Sequence, residues 1–258
     1  PRPEPACRHA DDCCGVGCTT GRKPQAMIDL YCERLAPGFW AEPVNALTNF
    51  SFLVAAFSAW RLAAARRVLS TETWALILLI AAIGIGSLLF HTFATGWAMT
   101  ADVIPILLFQ VVFIWVYGGR VIGWGIPGRL LSVALLLAGV AVGARYPEPF
   151  NGSLGYAPTL LVLFGLGTHH LLNAPKERSL LLLATGVLAL SLTFRSIDLA
   201  VCDDWPLGTH FFWHLLNGLV LYLAFRGLAN LLFTGGAPGT ASRGNTRVGG
   251  DPLRAQKG

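Results

Sequence analysis

Three histidines, a serine and an aspartate stand inside apolar runs of this chain. Ser87 and His91 are four apart in SLLFH, and His210 and His214 are four apart in HFFWH; Asp102 falls between the two motifs. Residues four apart on a helix share one face, a turn apart. Each motif therefore presents its two polar groups together. An ionisable group deep in a bilayer costs roughly 2.5–3.5 kcal/mol on insertion scales, so each of these residues asks for a reason. Three imidazoles with one coordination position left open make the ligand set of a catalytic zinc. A hydroxyl and a carboxylate beside them complete a constellation suited to hydrolysis. The same histidines would also serve haem iron or plain polar packing between helices. The neighbouring Ser87 and Asp102 argue for zinc, since haem asks for neither.

The elements that must hold these residues follow from composition. Of 258 residues, 54% are hydrophobic and 13% charged, with mean hydropathy +0.57. A soluble globule carries about 25% charged residues to solvate its surface, so this composition excludes one. The expected fold is all-α, a polytopic seven-helix membrane bundle. Apolar segments run over 44–62, 73–92, 97–117, 122–144, 156–173, 179–198 and 207–233. A span needs about 20 such residues, and lipid requires each to be helical. Pro127 and Arg129 disturb the start of the fourth, while the fifth is short and begins near Pro158.

The net charge of +5 forms no basic face interleaved with aromatics, so no nucleic-acid partner is expected. Lys and Arg collect instead in alternate loops: Arg61, Arg66 and Arg67; Arg120 and Arg129; Lys176 and Arg178. The opposite loops carry Arg145 alone, or Asp203 and Asp204. The positive-inside rule then predicts an outer N-terminus and a cytoplasmic C-terminus, with Arg22, Lys23 and Arg34 running against it. On that topology His91, Asp102, His210 and His214 share one outer depth. Residues 1–26, with Cys7, Cys13, Cys14 and Cys18, read as a disordered arm or upstream translation. They have no signal-peptide h-region, and their Cys spacing does not fit a zinc knuckle. Residues 235–258 read as a disordered tail, leaving 27–234 as the membrane domain.

Other polar residues in the spans invite quieter readings. His169 and His170 are expected to pack near the cytoplasmic end. Arg195 and Asp198 are spaced to pair along one helix. Arg226 is expected to snorkel to the interface, and Asn45 and Asn49 to bridge helices or brace the metal-site end.

Ser87-x3-His91, Asp102 and His210-x3-His214, with Asp29-Leu-Tyr-Cys32-Glu33 and Glu42-Pro-Val-Asn45-Ala-Leu-Thr48-Asn49, resemble the signature of the alkaline ceramidase family. That family belongs to the CREST superfamily of seven-span membrane hydrolases, and the resemblance covers residues 27–234. It implies zinc on His91, His210 and His214, and cleavage of ceramide to a fatty acid and a sphingoid base. Zinc would activate a water, Ser87 would support the oxyanion, and Asp102 would carry the water proton to the leaving amine. It also implies calcium on Asp29, Glu33 and Glu42, whose oxygens suit a hard cation, although Leu35 stands where the family places an asparagine. A Cys32–Cys202 disulfide and an Asp198 close to the zinc complete the resemblance. The implied partners are the bilayer and a lipid substrate entering from it, with oligomeric state left open. Another lipid amide is an alternative substrate. A non-enzymatic receptor with a structural metal is the rival class, though a structural zinc takes four protein ligands. A transporter would show internal repeats, and none is apparent.

Overall fold

The structure is a computed structural model that describes residues 27–235. The readings of the arm 1–26, its four cysteines and the tail beyond 235 concern residues outside those described. The described residues contain no strand. Seven helices follow one another: α1 (Pro43–Ala65), α2 (Thr71–Phe93), α3 (Gly96–Tyr117), α4 (Ile126–Gly143), α5 (Ala157–Asn173), α6 (Leu180–Ile197) and α7 (His210–Gly235). Six of the seven are long and apolar enough to cross a membrane. The other, α5, has 17 residues, the lower end of the range of about 17–25 for a span. The protein is an all-α integral membrane protein.

Local chemistry sets the helix ends. Pro43 opens α1, where its missing N–H removes no helical bond. Ser70 and Thr73 form a reciprocal capping box at the start of α2. The fourth helix begins at Ile126, later than the apolar run alone indicates. Residues Gly118–Ile122 extend α3 as a π turn, Gly123 turns left-handed at φ 82°, and Pro127 then fits the first turn of α4. Helix α7 likewise starts at His210, because Gly208 takes φ 65° just before it. A β-carbon at Gly208 would run into the Asp198 carboxylate, so both conformation and contact require glycine there.

Neighbours in sequence pack as neighbours in space, and α7 returns to lie against α1, so the helices close into a ring. Side chains such as Leu78, Leu135, Leu161 and Leu183 point out of the ring and are exposed, as a lipid-facing surface demands. The tightest approach joins α2 to α3. A β-carbon at Gly86 would meet the carbonyl of Ala101, so the backbones touch there, as small residues allow between membrane helices. Pro105 lies one turn further along α3 and has no N–H to offer that carbonyl. This contact sits beside Ser87 and Asp102, and it brings the two together.

One expected pairing takes a different form. Asp198 does not pair with Arg195: it is fully buried and accepts from backbone N–H groups instead. Arg226 pairs with Glu177 of the α5–α6 loop, its Nε donating at 3.0 Å. Glu177 lies in a loop outside the helices, so the guanidinium reaches toward the end of the bundle.

Candidate metal centre

Helix α2 ends, and α3 and α7 begin, at one end of the ring. The ligand nitrogens of His91, His210 and His214 lie within 4.8 Å of one another, and all three residues are buried. They make the only such group of three or more acidic, cysteine or histidine side chains among the described residues. Ring centroids are 4.7 Å apart for His91–His214 and His210–His214, and 5.3 Å apart for His91–His210.

Hydrogen bonds settle two of the tautomers. His91 Nδ1 lies 2.5 Å from Glu42 Oε2. An ionised carboxylate only accepts, so Nδ1 carries the proton and Nε2 the lone pair. His214 Nδ1 lies 2.9 Å from Thr48 Oγ1, whose single proton goes to the Val44 carbonyl at 2.8 Å. Thr48 therefore accepts from His214, leaving Nε2 buried and without a partner. His210 stacks under the Tyr31 ring at 3.6 Å, and its Nδ1 is also buried and unpartnered. Buried nitrogens with no partner are costly, and zinc takes imidazoles oriented by outer contacts, which here are hydrogen bonds for His91 and His214 and stacking on Tyr31 for His210. These residues fit the metal. Ser87 is buried one helical turn before His91, and the backbone of Asp102 packs against its neighbour Gly86.

The loop before α1 wraps this end. Arg34 Nε donates to Glu42 Oε1 at 2.5 Å, and its other nitrogens reach the carbonyls of His91 at 3.0 Å and Gly38 at 3.4 Å. Burial alone would raise the Glu42 pKa. The hydrogen bond and charge of His91, with the charge of Arg34, outweigh burial and hold it below the ordinary range. Glu33 accepts from the N–H groups of Val44 and Asn45 at 2.6 and 2.8 Å, capping α1 as a carboxylate should. Burial pushes Glu33 up despite those two bonds. Asp29 is exposed. Among the described residues Asp29, Glu33 and Glu42 do not converge as the histidines do. Glu42 is engaged by an imidazole and a guanidinium, and Glu33 by a helix terminus.

Cys32 and Cys202 form a disulfide with their Cα atoms 5.2 Å apart. Between them Asp198 accepts from the N–H groups of Cys32, Thr209 and His210 at 3.1, 2.6 and 2.9 Å. It fixes the first turn of α7, and so the backbone of His210, rather than any imidazole. Asn45 donates to Glu42 Oε2 at 3.2 Å, and Asn49 donates to the Asn45 carbonyl at 2.8 Å. Asn45 reaches Glu42 directly, whereas Asn49 bonds only the backbone of its own helix. Tyr31, Arg34 and Thr48 carry functions that their spacing does not signal. Burial pushes the Tyr31 phenol up to about 12 against the opposing pull of Arg195.

Below the cluster an apolar cavity occupies the centre of the ring, with lining residues from all seven helices, Phe52 and Ile83 at its upper end and Leu166 and Ala224 at its lower. From Trp213 to Ala224 it follows α7 for about 16 Å.

Fold and site define a class: a seven-helix membrane protein with a buried three-imidazole cluster above an apolar cavity. A family model, Ceramidase, matches residues 23–235, and the chain belongs to the ceramidase family. No curated protein matches it.

Proposed function

We propose that this protein is a zinc-dependent amide hydrolase that cleaves ceramide to a fatty acid and a sphingoid base. The observation that carries the reading is the convergence of three buried imidazoles on one point beside Ser87 and Asp102, directly above the apolar cavity. His91, His210 and His214 hold the zinc, which when bound supplies Lewis acidity to a water and to the amide carbonyl.

The chain's own residues supply the remainder. The cavity takes a hydrocarbon chain and excludes water from it, which brings the amide to the histidines. Asp102 takes a proton from the attacking water and delivers it to the amine nitrogen as the C–N bond breaks. The Ser87 hydroxyl rotates to donate to the oxygen that gains charge in the transition state. Glu42 and Thr48 hold His91 and His214 in the tautomers that present Nε2. Asp198 anchors the start of α7 that carries His210 and His214. The charge distribution in the loops supports an outer site and a cytoplasmic C-terminus.

The test of the proton-transfer role is Asp102→Asn. Turnover of N-acylsphingosine should fall by about 10²–10⁴ while bound zinc stays at the wild-type level. Full turnover in a zinc-loaded variant would remove Asp102 from the reaction.

A further inference from the structure

Near the end of α6, Arg195 brings a guanidinium into the bundle with no carboxylate to meet it. The ion pairs among the described residues are Arg34–Glu42, His91–Glu42, Arg120–Glu72 and Arg226–Glu177, and Arg195 is in none. Asp102 is near enough to be felt electrostatically but lies beyond ion-pair distance. Three aromatic rings surround Arg195 instead. Its Cζ stands 5.6 Å from the ring centroids of Tyr31 and Tyr156 and 5.4 Å from that of Trp213. One nitrogen donates to the Tyr31 hydroxyl at 2.7 Å, whereas the buried Nε has no partner. A guanidinium has five N–H donors in a fixed fork that matches carboxylate or phosphate oxygens. Here only the donation to Tyr31 is made within the protein.

The surroundings place this cation at the reaction centre. Tyr31 stacks on His210, Trp213 precedes His214 in the chain, and both Tyr156 and Trp213 line the apolar cavity. Over it runs the turn Phe150-Asn151-Gly152, all three left-handed at φ 57°, 51° and 73°. Asn151 donates to the Arg195 carbonyl at 3.3 Å. Non-glycine residues held left-handed are strained, and such strain gathers at ligand sites. Aromatic faces stabilise a cation without neutralising it, so the box keeps a charged, donor-rich group ready for an incoming anion.

We propose that Arg195 is an anion subsite adjoining the metal centre, which takes a carboxylate or phosphate oxygen of the bound lipid. Its place in the reaction rests on the amide-hydrolase reading; its binding chemistry does not. The anion has two sources, the carboxylate of the released fatty acid or an acidic group on the amine half of the substrate.

Two arms separate these sources, each run on full-length zinc-loaded wild type, Arg195→Gln and Arg195→Lys in detergent. The first measures displacement of a fluorescent fatty acid by a fatty acid or by the fatty alcohol of equal length. The second compares kcat/KM for an N-acylglycine and for its methyl ester. Wild type should favour the anionic member of at least one pair by about tenfold or more, as a charge-assisted hydrogen bond provides. Arg195→Gln should lose that preference and Arg195→Lys should keep part of it. Loss in the first arm identifies the product carboxylate, and loss in the second an acidic head group. If wild type shows no anion preference in either arm, or folded Arg195→Gln retains it, the subsite does not exist. Selective fatty-acid binding through Arg195 without hydrolysis of any amide would uphold the subsite and overturn the hydrolase reading.

Discussion

Two groups of histidines occupy opposite ends of the ring, and they differ in what their neighbours leave undone. At one end His91, His210 and His214 come from two helices and point at one another, with outer bonds to Glu42 and Thr48 fixing two of them. At the other, His169 and His170 are adjacent on α5 and leave in different directions, and Tyr117 meets His170 Nδ1 at 3.2 Å. The second pair also has unpartnered ring nitrogens, so an orphaned nitrogen alone does not make a metal site. Convergence within 4.8 Å is what lets the first group hold an ion between its members, and the second pair lacks it. His170 and Tyr117 lie one turn beyond Leu166 and Phe113, among the lowest residues lining the cavity.

The sharpest way to break the comparison is to remove one histidine from each end. His214→Ala should release the zinc and reduce ceramide turnover to background. His170→Ala should leave zinc and turnover in place and lower stability by about 1–3 kcal/mol in a detergent melt, the cost of a buried Tyr117 hydroxyl without its partner. Zinc lost from His170→Ala would erase the distinction between the two ends.

A smaller effect is expected one bond out from the metal. Glu42→Gln preserves the shape but weakens the hold on His91, so chelator competition should read a loss of zinc affinity of about 10–100-fold. Glu42 Oε1 accepts from Arg34, and with Arg34 taken as the cation of that loop, millimolar calcium or its chelator should leave turnover unchanged. A calcium-dependent activity would contradict the assignment of Arg34 as the cation of that loop.

The least effect belongs to the far end. The Arg226 hydrogen bond, against the opposing cost of burial, lowers the Glu177 pKa, with Asn230 assisting. A depressed carboxylate stabilises the fold above its unfolded pKa and loses that contribution as pH falls through its folded value. Wild type should therefore exceed Glu177→Gln in stability at neutral pH by less than about 1 kcal/mol. The gap should close in acid; one that widened in acid would reverse the sign.

The spans were legible because lipid demands long apolar runs, and the ends of α2, α3, α6 and α7 fall within a few residues of those runs. The start of α4 was not, since Val121 and Ile122 are apolar but belong to the π turn of the preceding helix. The three histidines, Ser87 and Asp102 stood out because nothing in a bilayer excuses a polar group without a task. Their supports were hidden. Thr48 and His214 meet across 166 residues, and Glu42 and His91 across 49, so the first pair needs α7 to close on α1 and the second needs α1 to pack on α2. Arg195 and Asp198 satisfied a helical spacing rule that packing overrode: three backbone N–H groups claimed the carboxylate first.

The most direct test of the zinc hydrolase reading pairs metal content with ceramide turnover in the same purified wild-type sample. About one zinc per chain, with turnover lost on chelation and restored by zinc, is the expected result. A folded chain that carries no zinc, or that keeps full turnover after the zinc is removed, would contradict it.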